Sequence, residues 1–273
     1  MSRRSWLNPH ITAVIENEWA QLIRSKVIIF TTLVPPILLV MSALMLLLFT
    51  SWLNTADMIS NKDVSSFLAR SGIDLVKLGG TDALKAALLS PFIVLFQVIP
   101  LVVPITIASY TIIGEKQSRS LEAILSTPIR TWELLLGKAL AAAMPGVLVS
   151  WLSFGVFASV ARFVVSDRLY AGLIVGPTWV LTVTILTPLF TLLPVGLGII
   201  ISSRVSDPQS AQQLGSIVIL PVIGTLVAQV MGAVHVNVSL VLAVAVVLAL
   251  LDAALVLVAI RLFRRETILT TWR

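Results

Sequence analysis

Residues 239–260, SLVLAVAVVLALLDAALVLVAI, form an apolar run in which Asp252 is the one charged residue. A run of about 20 apolar residues can cross the hydrocarbon core of a bilayer as an α-helix. Further runs of this kind occur in the 273-residue chain at 27–53, 88–113, 139–164, 173–201 and 214–234. The sequence therefore predicts an all-α, polytopic membrane protein with six transmembrane helices.

The composition of the whole chain supports this class. Hydrophobic residues make up 58% of the sequence and charged residues 12%, and the mean hydropathy is +1.02. The six spans leave no room for a soluble catalytic domain. Because there are no cysteines and only His10 and His235 as histidines, we expect no metal site, no cofactor and no catalytic residue in this chain. The net charge of +6 is more typical of cytoplasmic loops facing anionic lipid than of a nucleic-acid partner.

The basic residues predict the orientation. Six spans place both termini on one side, and 13 of the 19 Lys and Arg residues fall on that side. They are Arg3, Arg4, Arg24, Lys26, Lys116, Arg119, Arg130, Lys138, Arg204, Arg261, Arg264, Arg265 and Arg273. The positive-inside rule then predicts cytoplasmic termini in the cell (inner or plasma) membrane.

Residues 1–26 precede the first span and predict an amphipathic helix in the membrane interface. Asn8 can cap the helix, and Pro9 suits its first position. Its expected apolar stripe consists of Ile11, Val14, Ile15, Trp19, Leu22 and Ile23, and its polar face of Glu16, Asn17, Gln21 and Arg24. Such a helix could simply anchor the first span, or it could also contact a cytoplasmic partner.

Residues 114–138, GEKQSRSLEAILSTPIRTWELLLGK, form a charged segment between the second and third spans. Ser120 can cap a short helix with Glu122 in its first turn, and Thr127-Pro128 begins another. A simple connection needs only about 2–8 residues. The segment therefore predicts a cytoplasmic surface for a partner, although it could also be an interfacial hairpin.

These residues resemble the permeases of ATP-binding-cassette (ABC) transporters of the type-2 exporter superfamily, which includes sodium, multidrug, lipid and polysaccharide exporters. The matching positions are Glu115, Ser120, Leu121, Glu122, Ile124, Leu125, Pro128, Glu133, Gly137 and Lys138. Arg119-Ser120 replaces the usual Gly-Thr, so the capping hydroxyl is kept and the flexible glycine is lost. The resemblance extends over the six spans.

The resemblance implies that residues 114–138, Arg119 included, are a coupling segment that inserts into a separate ABC ATPase. It implies a complex of two ATPase subunits with two permeases, the second being another copy or a paralogue. ATP and Mg would bind to the ATPases. Gly137-Lys138 is followed by Ala139, so the chain has no phosphate-binding loop of the Walker type.

Prolines and glutamines within the spans are the candidates for a translocation pathway. Prolines free backbone carbonyls, and such groups are tolerated where neighbouring helices or water satisfy them. The candidates in the second and fifth spans are Gln97, Pro100, Pro104, Pro221 and Gln229. Membrane helices also carry prolines without any functional role. The resemblance also implies that these two spans lie at the dimer seam.

Asp252 is a further candidate, because an ionisable group inside a span is costly to leave unpaired. We expect it to pair with Lys138, whose long side chain could reach it from the inner end of the third span. A cation-binding role would need more oxygen ligands than the sequence supplies at one depth.

The domain prediction is an interface helix (1–26), a transmembrane domain (27–260) with an outer loop (54–86), and a basic tail (261–273). One alternative function is an ion-coupled carrier or channel subunit without an ATPase, which would need clustered polar groups or inverted repeats. An intramembrane enzyme would need a catalytic constellation that the spans lack.

Overall fold

A computed structural model describes residues 9–52, 80–117, 131–202, 205 and 207–262, and within these residues every regular element is a helix. The α-helices are Pro9–Arg24, Lys26–Trp52, Gly80–Leu89, Phe92–Leu95, Ile99–Gln117, Thr131–Val164, Asp167–Leu169, Pro177–Leu181, Thr187–Ser202, Pro208–Gly215, Ile219–Val230 and Val238–Leu262. Short 3₁₀ turns lie at Phe96–Val98 and Ser216–Val218, and π-helical turns at Tyr170–Ile174 and Thr182–Leu186.

Six helical segments of the described chain are long and apolar enough to cross a membrane, which confirms the predicted all-α polytopic fold. In chain order, the first to sixth spans are Lys26–Thr50, Asp82–Tyr110, Leu136–Val164, Asp167–Gly198, Pro208–Val230 and Val238–Ala259. The second span begins about a turn and a half earlier than the apolar run indicates, because the amphipathic helix Gly80–Leu89 leads into it. Most of the outer loop, residues 53–79, and residues 1–8 and 263–273 lie outside the described residues.

The second span is the centre of the bundle. Of its most apolar window 67% is buried, against 11% for the fifth span. It packs against the first, third and fourth spans and against the helix Pro208–Gly215. Close packing with the third span depends on Gly146, where a Cβ atom would lie only 2.6 Å from Cγ of Pro104. Small residues at helix contacts are the usual means of bringing membrane helices together.

An aromatic cluster joins the second, third and fourth spans. The rings of Phe157 and Trp179 stack with centroids 5.7 Å apart, and Phe96 lies 5.3 Å from Phe157. Phe154 contacts both Phe96 and Trp179. Aromatic pairs at these separations stabilise a contact beyond the area they bury. The cluster therefore holds three spans together at one level of the bundle.

The outward faces of the spans are apolar. Met45 of the first span is 73% exposed, Leu220 of the fifth 62% and Val246 of the sixth 60%. A soluble monomer rarely exposes so much contiguous apolar surface. In a bilayer the same surface contacts lipid tails, so this exposure is the one expected for a membrane-embedded bundle.

Candidate functional site

The predicted coupling residues fall partly outside the described chain. Arg119, Ser120, Leu121, Glu122, Ile124, Leu125 and Pro128 are among the residues that the structure does not describe. Glu115 lies in the last turns of the helix Ile99–Gln117. Glu133, Gly137 and Lys138 lie in the first two turns of Thr131–Val164, and all three are buried. The described part of the candidate site is therefore the base of the third span.

The helix that carries this base is unusually long. Thr131–Val164 has 34 residues, and at 1.5 Å per residue its length is about 51 Å. The hydrocarbon core is about 30 Å thick. The helix therefore extends beyond the hydrocarbon core as one continuous element with the membrane span.

The N-terminal helix, Pro9–Arg24, packs across this base. Pro9 begins it, as the sequence predicts, and the apolar residues Ile11 and Ile15 cluster with Ala141. The indole Nε1 of Trp19 donates a hydrogen bond to the carbonyl oxygen of Ala141 at 3.1 Å. Ile23, the last residue of the predicted apolar stripe, is 73% exposed and does not take part in this packing. Ile23 lies beyond the edge of the helix face that packs on the third span.

Gly137 is the closest point of this contact. A Cβ atom there would lie 2.8 Å from Cγ1 and 2.9 Å from Cβ of Val14. Real Cβ atoms do not approach side chains so closely, so glycine is what lets the two helices meet at this point. The glycine that the sequence motif places at the end of the coupling segment thus has a packing role in the structure.

A buried ion pair lies one residue further along. Lys138 Nζ donates to Glu18 Oε1 of the N-terminal helix, and the two side chains are 6% and 3% exposed. Two charges this deeply buried depend on each other, because either one alone would lack its compensation. The pair therefore links the N-terminal helix to the base of the third span.

This ion pair corrects the expectation that Lys138 pairs with Asp252. Lys138 points to the N-terminal helix, whereas both carboxylate oxygens of Asp252 have no hydrogen-bond partner among the described residues. Sequence reasoning also missed Glu18. It lies between Ile15 and Leu22 on the buried stripe, and an acidic residue on an apolar face could have indicated a buried partner.

The pathway candidates of the second span cluster around a local change in helix geometry. Pro100 has no N–H, so it cannot bond to the carbonyl of Phe96, and the N–H of Ile99 bonds to that carbonyl instead. The result is the 3₁₀ turn Phe96–Val98, which contains Gln97. Gln97 is 4% exposed, and its Oε1 has no hydrogen-bond partner in the described structure. Pro104 lies one turn further on and contacts the third span.

The fifth-span candidates are separated from each other. Gln229 lies near the end of the fifth span, where its Nε2 donates to the carbonyl of Ser90 at 3.0 Å. Pro221 is exposed on the outside of the bundle. At the opposite end of this span, Gln212 Nε2 donates to Thr106 Oγ1 at 3.0 Å. The fifth span is therefore fastened to the second at both ends.

A cavity of about 70 Å³ lies between the second, fourth, fifth and sixth spans. Gln97, Thr182 and Thr225 supply its polar groups, and the rest of its lining is apolar. Of the pathway candidates, only Gln97 lines it. The structure therefore does not bring Gln97, Pro221, Gln229 and Asp252 together into one polar site.

These features define a six-helix membrane protein with an N-terminal helix docked at the base of its third span. The family model of the ABC-2 family transporter proteins matches residues 72–252. Because this match covers well over half of the chain, the protein belongs to the ABC-2 family, and it is a multi-pass membrane component of the permease kind. No curated protein matches the sequence significantly.

Proposed function

We propose that this chain is the permease subunit of an ATP-driven exporter. Two copies, or one copy and a paralogue, would form the translocation path, and each would bind a separate ABC ATPase through residues 114–138. The ATPases would bind ATP and Mg. Membership in the ABC-2 family supports transport by a permease, and the resemblance of the coupling segment supports the ATPase partner and the export direction.

The observation that carries the coupling proposal is the close packing of the N-terminal helix on the base of the third span. Gly137 packs on Val14, Lys138 pairs with Glu18, and Trp19 bonds to Ala141. A displacement of the segment before residue 131 would be transmitted to this base. Because the base continues into a single 34-residue helix, the third span and the N-terminal helix would move as one body.

The lightly packed fifth span supports the second permease. Only 11% of its most apolar window is buried within the chain. Leu220 and Val227 are 62% and 51% exposed on it. A partner copy would bury this surface at the seam that the family resemblance implies. The basic residues on the side of the bundle that carries both termini support cytoplasmic termini in the cell membrane.

The first test is co-purification. We expect the full-length chain, purified from its native host in mild detergent, to bring with it an ATPase containing a phosphate-binding loop at equal stoichiometry, as measured by mass spectrometry. Cysteines introduced within residues 118–130 should crosslink to that ATPase. If no ATPase is recovered even after crosslinking, the coupling proposal fails and the ion-coupled carrier becomes the better hypothesis.

The second test separates coupling from folding. Glu122→Arg and Leu125→Arg should uncouple ATP hydrolysis from transport while leaving the permease folded. Glu16→Arg is the matched control, because Glu16 is exposed on the polar face of the N-terminal helix. Normal transport by both coupling-segment variants would argue against the placement of the partner surface.

A further inference from the structure

The cavity between the second, fourth, fifth and sixth spans is bordered by two departures from α-helical geometry. Gln97 lies in the 3₁₀ turn Phe96–Val98, and Thr182 and Leu186 begin and end a π-helical turn in the fourth span. Single π turns and 3₁₀ turns inside helices frequently mark functional sites. Here two neighbouring spans are irregular at the walls of the same cavity.

Each irregular turn has a cause in the sequence. Pro100 has no N–H to donate to the carbonyl of Phe96, four residues back. The N–H of Ile99 makes this bond instead, and a bond to the third residue back is the 3₁₀ pattern. In the fourth span the N–H of Thr187 bonds to the carbonyl of Thr182, five residues back, and the following residue is Pro188. Residues of both turns line the cavity, and neither turn is part of the base of the third span.

The cavity has a buried floor and a partly exposed rim. Gln97, Thr182 and Val222 are buried, whereas Thr225 and Val244 are partly exposed. The fifth and sixth spans, which supply these two rim residues, also carry apolar residues on the outer face, including Val227 at 51% exposure and Val247 at 55%. A molecule dissolved in the lipid therefore has access to the rim without passing through water.

The polar groups of the cavity specify a hydrogen-bonding ligand. The hydroxyls of Thr182 and Thr225 donate to their own helices at 2.7 and 2.9 Å, so they present acceptor lone pairs to the cavity. The side-chain oxygen Oε1 of Gln97 has no hydrogen-bond partner among the described residues. A buried amide oxygen without a partner destabilises the folded state, and a ligand that donates to it would remove that cost.

We propose that this cavity binds an uncharged lipophilic molecule that carries a hydroxyl group. The groups that face the cavity, Oε1 of Gln97 and the oxygens of the two threonines, are all acceptors, and a hydroxyl has the one hydrogen needed to donate to one of them. Its hydrocarbon chain extends past the rim into the bilayer. The lining residues that the structure describes include no charged side chain, so a carboxylate or ammonium would be desolvated without compensation.

The ligand is either a lipid alcohol resident in the membrane or the cargo of the exporter. The binding site itself needs only the membrane-embedded bundle. The identification of the ligand as cargo rests on the proposed function.

Binding is tested by photolabelling of the full-length chain in phosphatidylcholine nanodiscs. The probe is an octanol that carries a diazirine at carbon 3, and the labelled residues are mapped by mass spectrometry. We expect saturable labelling of the lining residues, competed by octanol and not by octane or octanoic acid. Labelling that does not saturate, or that octane competes equally well, would overturn the proposal.

Variants locate the site. Gln97→Leu should weaken labelling about tenfold, the effect of losing one hydrogen bond, and Val244→Phe should abolish it by filling the rim. Thr184→Val is the control, because Thr184 makes the same bond to its own helix, 2.7 Å to Val180, but lies exposed and outside the lining. If Gln97→Leu does not fold, Val244→Phe and the competition series still show whether the probe binds in this cavity. Wild-type labelling in Val244→Phe would refute the site.

The source of the ligand is tested in the complex with its ATPase. ATP and Mg should lower the labelling if the ligand is cargo and leave it unchanged if the ligand is a resident lipid alcohol. Failure to recover an ATPase would count against the proposed function alone, because labelling of the isolated chain still reports on the cavity.

Discussion

Removing one partner of the ion pair between Glu18 and Lys138 should release the N-terminal helix from the base of the third span. The two side chains are 3% and 6% exposed, so solvent screening does not reduce the effect. Truncating one member of such a buried pair costs about 3–5 kcal/mol, because the other charge is left without compensation. Lys138→Met should therefore increase the opening of the N-terminal helix by at least about 100-fold.

Hydrogen exchange measures this opening directly. In lipid nanodiscs, the amides of residues 13–24 in Lys138→Met should exchange at least about 100 times faster than in the wild type, and those of Val238–Leu262 should not change. The double variant Glu18→Leu/Lys138→Met should return toward the wild-type rate, because an apolar pair of similar volume can replace a buried ion pair without loss of stability.

A matched variant controls for the loss of a charge. Glu16→Gln removes a carboxylate from the exposed face of the same helix and should leave exchange unchanged. The reasoning is refuted if Lys138→Met exchanges like Glu16→Gln, or if the double variant exchanges as fast as the single one.

Three further predictions concern single positions. Gly146→Ala places a Cβ atom 2.6 Å from Cγ of Pro104 and should lower the free energy of unfolding by about 1–3 kcal/mol, measured by thermal unfolding in detergent. Gly155→Ala is the control and should not lower it, because a Cβ atom there would have no heavy atom of a neighbouring element within 4 Å. Asp252→Asn should leave the unfolding temperature unchanged or higher, because no described residue bonds the carboxylate; a drop of several degrees would reveal a partner. The backbone N–H and the hydroxyl of Ser210 donate to the carboxylate of Asp207 and lower the pKa of Asp207. The stabilisation of helix Pro208–Gly215 by this carboxylate should therefore be complete above about pH 4 and lost as the pH falls through the lowered pKa. Asp207→Asn should abolish that pH dependence of hydrogen exchange, since asparagine also caps.

The local features of this chain could be predicted from its sequence because they depend on neighbours along the chain. The six apolar runs predict the six spans, since their length matches the hydrocarbon core. Pro9 and the apolar period predict the N-terminal helix. The match of residues 72–252 to the ABC-2 family confirms the family to which the coupling motif pointed. The roles of the motif residues stay predictions.

The contacts between distant parts of the chain were decided by the tertiary structure. A lysine at the base of a span can reach any acid at a similar depth, and only the docking of the N-terminal helix selects Glu18 over Asp252 for Lys138. The cavity at Gln97 likewise exists because four spans meet there. The sequence determined which segments enter the membrane, since hydrophobicity is a property of each segment, whereas packing decided which polar groups meet, since that depends on all the helices together.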